Sequence, residues 1–277
     1  MTQTDRTAKQ HTGSPSTVRS QGEFAPIADS LREKVTEFYR QRGESLTDSA
    51  GLNTLETNSG YVERRAQPLL EIFFRCSGLD SIEGMRVLDV GCGFGALSVF
   101  FAARGAVVTG IDPNEARLSV GKSVAAAYGL PVDFRRGRMQ SLELPDRSFD
   151  LAVDNNSLCY VVPRPQRHAA LRETWRVLRP GGSLIVRNPN RWTPMDQFSG
   201  LPLVQLLPPQ EATRVAEKLG RTRSTVRLTS PLEASREMRA AGFTGVKPAA
   251  SPTSRWPMLL RPFARYQHLI GRRPPEE

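Results

Sequence analysis

The chain is poor in everything that would mark a membrane, metal or disulfide protein. No apolar run approaches the roughly 20 residues of a membrane span, and the N-terminus lacks the apolar core of a signal peptide, so a cytoplasmic location is expected. The three cysteines, Cys76, Cys92 and Cys159, show no paired spacing and are expected to be reduced and mostly buried. The three histidines, His11, His168 and His268, are too scattered to suggest a metal site, and no metal is expected. No alternation of aromatic and basic residues marks a nucleic-acid platform. Hydrophobic residues make up 39% of the chain, which is low for a fully packed globule and suggests exposed tails. At 277 residues the chain has room for one large domain with extensions.

What is plentiful is basic charge. The net charge is +10, and thirteen Lys/Arg against five Asp/Glu lie between Arg214 and Glu277, so most of the excess is C-terminal. Such an excess either attracts an anionic substrate or surface or forms a plain solvated, arginine-rich face.

The stretch around which the rest is organised runs from Met85 to Asp112. Val87-Leu88-Asp89-Val90 is short and apolar, so it reads as a buried strand. Gly91, Gly93 and Gly95 follow at alternate positions, then an apolar helix from Ala96 to about Arg104. Glycines here let the backbone approach a ligand closely, and a helix start offers free N–H groups at a positive dipole end. A second strand, Val107–Ile111, ends in Asp112, 21 residues after Gly91, where a carboxylate can accept both hydrogen bonds of a ribose diol. Gly91-x-Gly93-x-x-Ala96 also satisfies the dinucleotide fingerprint. Asp89 tilts the choice: an anion beside the loop does nothing for a pyrophosphate but suits a ligand's ammonium group.

Together, Asp89-x-Gly91-x-Gly93-x-Gly95 resembles the first motif of the class I S-adenosylmethionine (SAM) methyltransferases. Downstream pieces resemble the same family in order and spacing. They are Gly137–Leu142 with Leu144–Asp150, the turn Val177–Leu184, and the segment Pro231–Phe243. The resemblance covers roughly residues 60–190 strongly and 228–272 weakly. It implies an α/β fold: a doubly wound, mostly parallel, seven-stranded Rossmann-like sheet with N-terminal helices and a lid insert. It implies SAM as cofactor, held by Asp89, Gly91, Cys92, Gly93, Gly95, Asp112 and Pro113. From the far side it adds Arg138, Met139, Gln140, Asn155 and Asn156. One place departs from the family, which usually has an acid where this chain has Arg138. Arg has no acceptor, so adenine falls to the Met139 backbone or to Gln140, with Arg138 free to stack on the ring.

The element pattern agrees with an alternating α/β chain. Helical spacing is read at Ala28–Arg40, Tyr61–Cys76, Glu115–Tyr128 and Pro165–Leu178, and strands at Val132–Arg135, Phe149–Asp154 and Ser183–Val186. Arg265–Gly271 would be a last, antiparallel strand. The expected divisions are a disordered tail over 1–22 and a methyltransferase domain over 23–277. Within the domain lie an N-terminal helical cap at 23–80, a SAM-binding core at 81–188, a lid insert at 189–228, and a C-terminal helix and strands at 229–277. Tyr61, Arg64 and Arg65 are candidates to meet the ligand's carboxylate, or ordinary packing and surface residues.

The insert carries Leu201-Pro202-Leu203-Val204-Gln205-Leu206-Leu207-Pro208-Pro209 and then a helix to Leu219. So apolar a run packs over a ligand, against a second copy of the chain in a homodimer, on a membrane surface, or into the core. Methyl transfer needs chiefly a positioned acceptor, plus a proton acceptor if the nucleophile is a hydroxyl or ammonium. The candidates lie after the fourth strand, Asp154, Asn155, Asn156 and Tyr160, with Asp196 and Tyr61 as further options and His168 too far along its helix. The expected function is methyl transfer to a small-molecule acceptor, an O- or N-nucleophile of an apolar or aromatic metabolite. The alternatives are an RNA or protein methyltransferase and a non-catalytic nucleotide-binding module.

Overall fold

A computed structural model describes residues 21–44, 62–249 and 263–276. The expected tail therefore lies mostly outside the described residues, as does the 45–61 segment with Tyr61.

Helix α1 (Gln21–Arg40) begins seven residues before Ala28, inside the segment read as tail. The reason is the spacing of Phe24, Ile27, Leu31 and Val35, all buried, which keeps one apolar stripe for the whole length. Phe24 meets Phe100 edge to face at 5.1 Å. Helix α2 (Val62–Ser77) buries Leu69, Leu70, Ile72 and Phe73 beside it. The alternating core then follows: β1 (Arg86–Val90), α3 (Ala96–Ala103), β2 (Val107–Asp112), α4 (Glu115–Ala127), β3 (Val132–Arg136), β4 (Phe149–Asn155), α5 (Arg164–Val177) and β5 (Leu178–Pro189). The insert contributes α6 (Pro209–Lys218), and α7 (Pro231–Ala240), β6 (Thr244–Ala249) and β7 (Tyr266–Arg272) complete the fold.

The seven strands form one sheet in the order β3-β2-β1-β4-β5-β7-β6. β1 to β5 pair in parallel, and β7 runs antiparallel between β5 and β6. Two apolar layers cover the two faces. One joins α1 to α4 through Leu31, Leu69, Phe100 and Leu118; the other joins α5 and α7 through Leu171, Leu178, Met238 and Phe243. The expected α/β architecture holds, with helix ends displaced by a few residues apart from the early start of α1. No helix among the described residues is long and apolar enough to cross a membrane.

Two local features differ from the sequence reading. Strand β5 starts at Leu178 rather than Ser183, because Leu178 already pairs with Phe149 of β4 and the Arg-Pro-Gly-Gly turn is carried within the strand as an irregularity. Its register against β4 shifts between Phe149 and Leu151, Gly181 takes φ +79°, and the Gly181 N–H donates to the Arg273 carbonyl. Of the cysteines, Cys159 is buried while Cys76 and Cys92 are partly exposed.

Arg273 fastens the C-terminal end of β7 to the rest. Its Nη1 donates to the carbonyls of Arg176 and Leu178 at 2.9 and 2.8 Å, and its guanidinium lies 4.0 Å from the Trp175 ring centre.

Candidate functional site

The carboxyl ends of β1, β2 and β4 lie side by side, and each ends in an aspartate or carries one near its end: Asp89, Asp112 and Asp154. The chain after β1 turns under Ile111, whose carbonyl accepts the N–H groups of Gly91 and Cys92 at 2.7 and 3.0 Å. Gly91, Gly93 and Gly95 all have positive φ, at +73°, +58° and +77°, which an L side chain resists.

The three glycines answer to three different surroundings. A Cβ on Gly91 would lie 2.3 Å from Ser157 Oγ, and a Cβ on Gly95 would lie 2.5 Å from the Phe134 ring. Those two are required by packing within the fold. A Cβ on Gly93 would meet nothing within 4 Å, so Gly93 alone of the three faces open space. At Gly91 and Gly95 this packing stands beside any ligand approach, and at Gly93 no packing contact accounts for the glycine.

Asp112 ties this loop to β2. Its Oδ2 accepts the Gly93 N–H at 3.0 Å and its Oδ1 accepts the Asn114 N–H at 2.9 Å. A carboxylate has further lone pairs, so the side chain still has capacity for a diol. Pro113 is exposed at this rim, and Asn114 caps α4 by accepting the Arg117 N–H. Gly95 caps helix α3 without a side chain to do so, and the Ser98 N–H in its first turn is bonded to Asp89.

Asp89 turns inward. It is 2% exposed, and its Oδ2 accepts the Ser98 hydroxyl at 2.6 Å. Burial pushes its pKa up to about 7, the nearby Asp112 and Asp154 charges add to the rise, and the Ser98 hydrogen bond opposes it. Burial also raises the Cys92 thiol well above its ordinary value, so it stays protonated.

On the other side, Arg138 is exposed while Met139 and Gln140 are half-buried. The Ser141 N–H closes this turn on the Arg138 carbonyl at 3.0 Å. Met139 reaches the glycine loop, with Cε 3.6 Å from the place a Gly91 Cβ would take.

Asp154 does not present a free carboxylate. It accepts the Asn188 side-chain amide at 2.6 Å and the backbone N–H groups of Ser157 and Leu158 at 3.0 Å each. Burial still raises its pKa to about 6. Through these bonds it shapes the one-turn helix Leu158–Tyr160 and is tied to β5. Asp196 is committed in the same way, to Ser199 and to a buried ion pair with Arg223 at 3.2 Å.

Asn155 accepts from Arg187 Nη1 at 3.0 Å, and the Asn156 N–H, at φ +63°, donates to the Arg187 carbonyl at 2.7 Å. Arg187 in turn stacks on Tyr266, 3.6 Å from the ring centre. Tyr160 is 55% exposed and meets Phe198 edge to face at 6.1 Å. Desolvation of its hydroxyl pushes the pKa up to about 12, which keeps the phenol protonated. His268, paired with Arg187 across β5 and β7, is buried and lowered to about 3, so it is neutral. His168 sits on α5, half-buried.

The structure thus gathers Asp89, Gly93, Asp112, Met139, Asn155 and Asn156 around one edge of the sheet. Sequence reasoning missed Ser98, Ser157 and Arg187. Ser98 carried a signal, since it stands one turn into the helix that follows the glycines. Ser157 and Arg187 carried none.

Residues 87–182 match the family model described as "Methyltransferase domain". A ubiquinone biosynthesis O-methyltransferase of Pseudomonas putida is 38% identical over 140 residues, 47% of this chain and 59% of that protein. The chain therefore spans less than two thirds of that relative's length. The namesake protein of Rhizobium etli is 31% identical over 196 residues, 70% of this chain and 75% of its own length. Among solved structures, a SAM-dependent methyltransferase from Aquifex aeolicus has a TM-score of 0.55 at 17% identity, covering 79% of this chain and 95% of its own. Burkholderia thailandensis 1,6-didemethyltoxoflavin-N1-methyltransferase, solved with bound 1,6-didemethyltoxoflavin and S-adenosylhomocysteine, has a TM-score of 0.53 at 22% identity, covering 94% of this chain and 92% of its own. With the fold, the glycine loop and the Rhizobium etli relative in agreement, the chain belongs to the class I S-adenosylmethionine-dependent methyltransferases.

Proposed function

We propose that the chain binds SAM at the edge formed by Gly93 and Asp112 and transfers its methyl group to a small-molecule acceptor, a hydroxyl on an apolar or aromatic compound. The observation that carries this reading is the pairing of Gly93 with Asp112. The loop's one glycine that faces open space donates its N–H to the acid that ends β2. In this reading Asp112 accepts from the ribose hydroxyls, Met139 and Gln140 flank the adenine, and Asp89 balances the ammonium group from beneath the loop. The names of the Pseudomonas putida and Rhizobium etli relatives favour oxygen as the nucleophile.

Methyl transfer from a sulfonium is an in-line displacement, and the protein's part is to hold nucleophile and methyl carbon at attack distance. Asn155, Asn156 and Tyr160 would orient the acceptor at the end of β4. Asp154 and Asp196 are both engaged within the fold, so neither takes the acceptor's proton. The proton of a phenolic acceptor would leave to water at this open edge.

Calorimetry with S-adenosylhomocysteine tests the cofactor site. A charge-assisted hydrogen bond is worth about 1.5–3 kcal/mol, so Asp112→Ala should bind at least tenfold more weakly. Wild-type affinity in that variant overturns the placement. Incubation with methyl-labelled SAM and matched phenol and aniline acceptors then reads the nucleophile, and label transferred to anilines alone overturns oxygen.

A further inference from the structure

The insert borders an open cavity that the methyl-transfer reading does not use. The one-turn helix Val204–Leu206, the start of α6 and the extended segment Val226–Leu228 surround a volume of about 310 Å³. None of its lining residues belongs to the glycine loop or to the ends of β1, β2 and β4. Its walls are apolar where Leu206, Leu207, Pro209 and Val226 face it. A volume of this size lies at the small end of the range for ligand sites.

Three polar side chains line it, and they are unequally satisfied. Arg191 is engaged: it donates to the Leu206 carbonyl at 2.8 Å and lies 3.5 Å from Glu233. Gln205 is 3% exposed; its amide nitrogen donates to the Thr193 carbonyl, but its buried Oε1 has no donor. Arg227 has its backbone N–H on the Cys159 carbonyl at 2.8 Å, yet its buried Nε has no acceptor. Arg227 makes no ion pair among the described residues. Buried polar atoms in folded proteins are nearly always paired, and each one left over carries a desolvation cost. Here an orphan acceptor and an orphan cationic donor line one cavity with both polar and apolar walls.

We propose that this cavity is a binding site for a small amphipathic acid: a carboxylate for Arg227, a hydroxyl to donate to Gln205, and an apolar body between Leu206 and Val226. Arg227 supplies a guanidinium with no competing acid among the described residues, and Arg191 is already neutralised by Glu233. Leu206, Leu207 and Pro209 offer the body of the ligand apolar contacts. The site stands whether or not the chain transfers methyl groups.

The test uses the full chain and three matched probes at millimolar concentration, by calorimetry and ligand-observed NMR. These are 4-hydroxyphenylacetate, phenylacetate without the hydroxyl, and 4-methylphenol without the acid. The first should bind most tightly. Arg227→Gln should weaken it at least tenfold while leaving its binding of 4-methylphenol unchanged. Because the Arg227 guanidinium makes no ion pair among the described residues, the variant's unliganded melting temperature should match the wild type, which separates a lost site from a lost fold. Gln205→Met should erase the difference between 4-hydroxyphenylacetate and phenylacetate. The proposal is overturned if no probe binds, if Arg227→Gln binds the acid as well as the wild type does, or if 4-methylphenol binds as well as the acid.

Discussion

Gly95 and Phe134 fit so closely that no methyl group can stand between them: a Cβ on Gly95 would lie 2.5 Å from the ring. Gly110 and Gly121 press on the same ring, where added Cβ atoms would come within 2.9 and 2.8 Å. Gly95, at the end of the glycine loop, is thus also one wall of a socket for a side chain on β3.

This separates two substitutions that the motif alone would equate. Gly95→Ala forces a positive φ on alanine and collides with Phe134, and should lower stability by more than about 3 kcal/mol. Gly93→Ala carries the backbone strain alone, about 1–2 kcal/mol. It should stay folded while losing affinity for S-adenosylhomocysteine. Thermal melts and calorimetry on both variants check this, and a folded Gly95→Ala that still binds would contradict it.

Asp89 makes stability depend on pH in an unusual direction. Its pKa is raised from 3.8 to about 7 in the folded protein, and Asp154 is raised to about 6. Between these values and 3.8 the folded state holds more protons than the unfolded chain. Stability is therefore full at low pH and falls as pH rises towards about 7. A tenfold change in proton affinity between the two states corresponds to about 1.4 kcal/mol, so the loss attributable to Asp89 amounts to a few kcal/mol. Asp89→Asn keeps an oxygen for the Ser98 hydroxyl and should flatten that fall. Urea denaturation from about pH 4 to pH 8 measures it, and an unchanged slope in the variant would clear Asp89 of the effect.

The Asp196–Arg223 pair should anchor the insert. Its side chains are 0% and 1% exposed, and Asp196 also holds the Ser199 N–H and hydroxyl. Removing one partner of a buried pair costs about 3–5 kcal/mol because a charge is stranded. Arg223→Met should therefore destabilise strongly, and adding Asp196→Asn should recover part of the loss. Hydrogen exchange should show opening concentrated in residues 190–228. Equal damage from the single and double variants would mean the charge itself is not the cause.

Leu203 is a strained residue in an exposed place, with φ +59° and 57% of its surface open. A leucine there gives up about 1–2 kcal/mol of backbone preference without burial to offset it. Strain of this kind gathers at functional sites. Leu203→Gly should keep or raise the melting temperature while lowering turnover of the acceptor. A variant with lower stability and intact turnover would return Leu203 to an ordinary structural role.

The strand and helix order was legible because its signals are local. Apolar runs such as Val87–Val90 and the punctuation at Gly91 and Gly129 sit beside the elements they bound. The extended start of α1 was missed because Phe24 and Ile27 carry its stripe across a polar-looking segment that includes Pro26. At the site, Asp112 and the glycines could be read from spacing, but the commitments of Asp154 and Asp196 could not. Asp154 depends on Asn188, a residue that β5 brings alongside β4, and Asp196 depends on Arg223, 27 positions on. A carboxylate's availability is set by what other elements deliver to it, and no local pattern records that.

The place of β7 has a consequence for how the chain assembles. It lies between β5 and β6, pairs with both, and is held by Arg273 to carbonyls at the end of α5 and the start of β5. β6 pairs with no other strand, so it cannot join the sheet until residues 266–272 have been synthesised and threaded into place. Such late, long-range pairing is slow to form. A nascent chain released before Tyr266 would expose the edge of β5, with its open row of N–H and C=O groups, to other chains. Completion of this fold is therefore gated at its carboxyl end, far in sequence from the glycine loop with which its architecture begins.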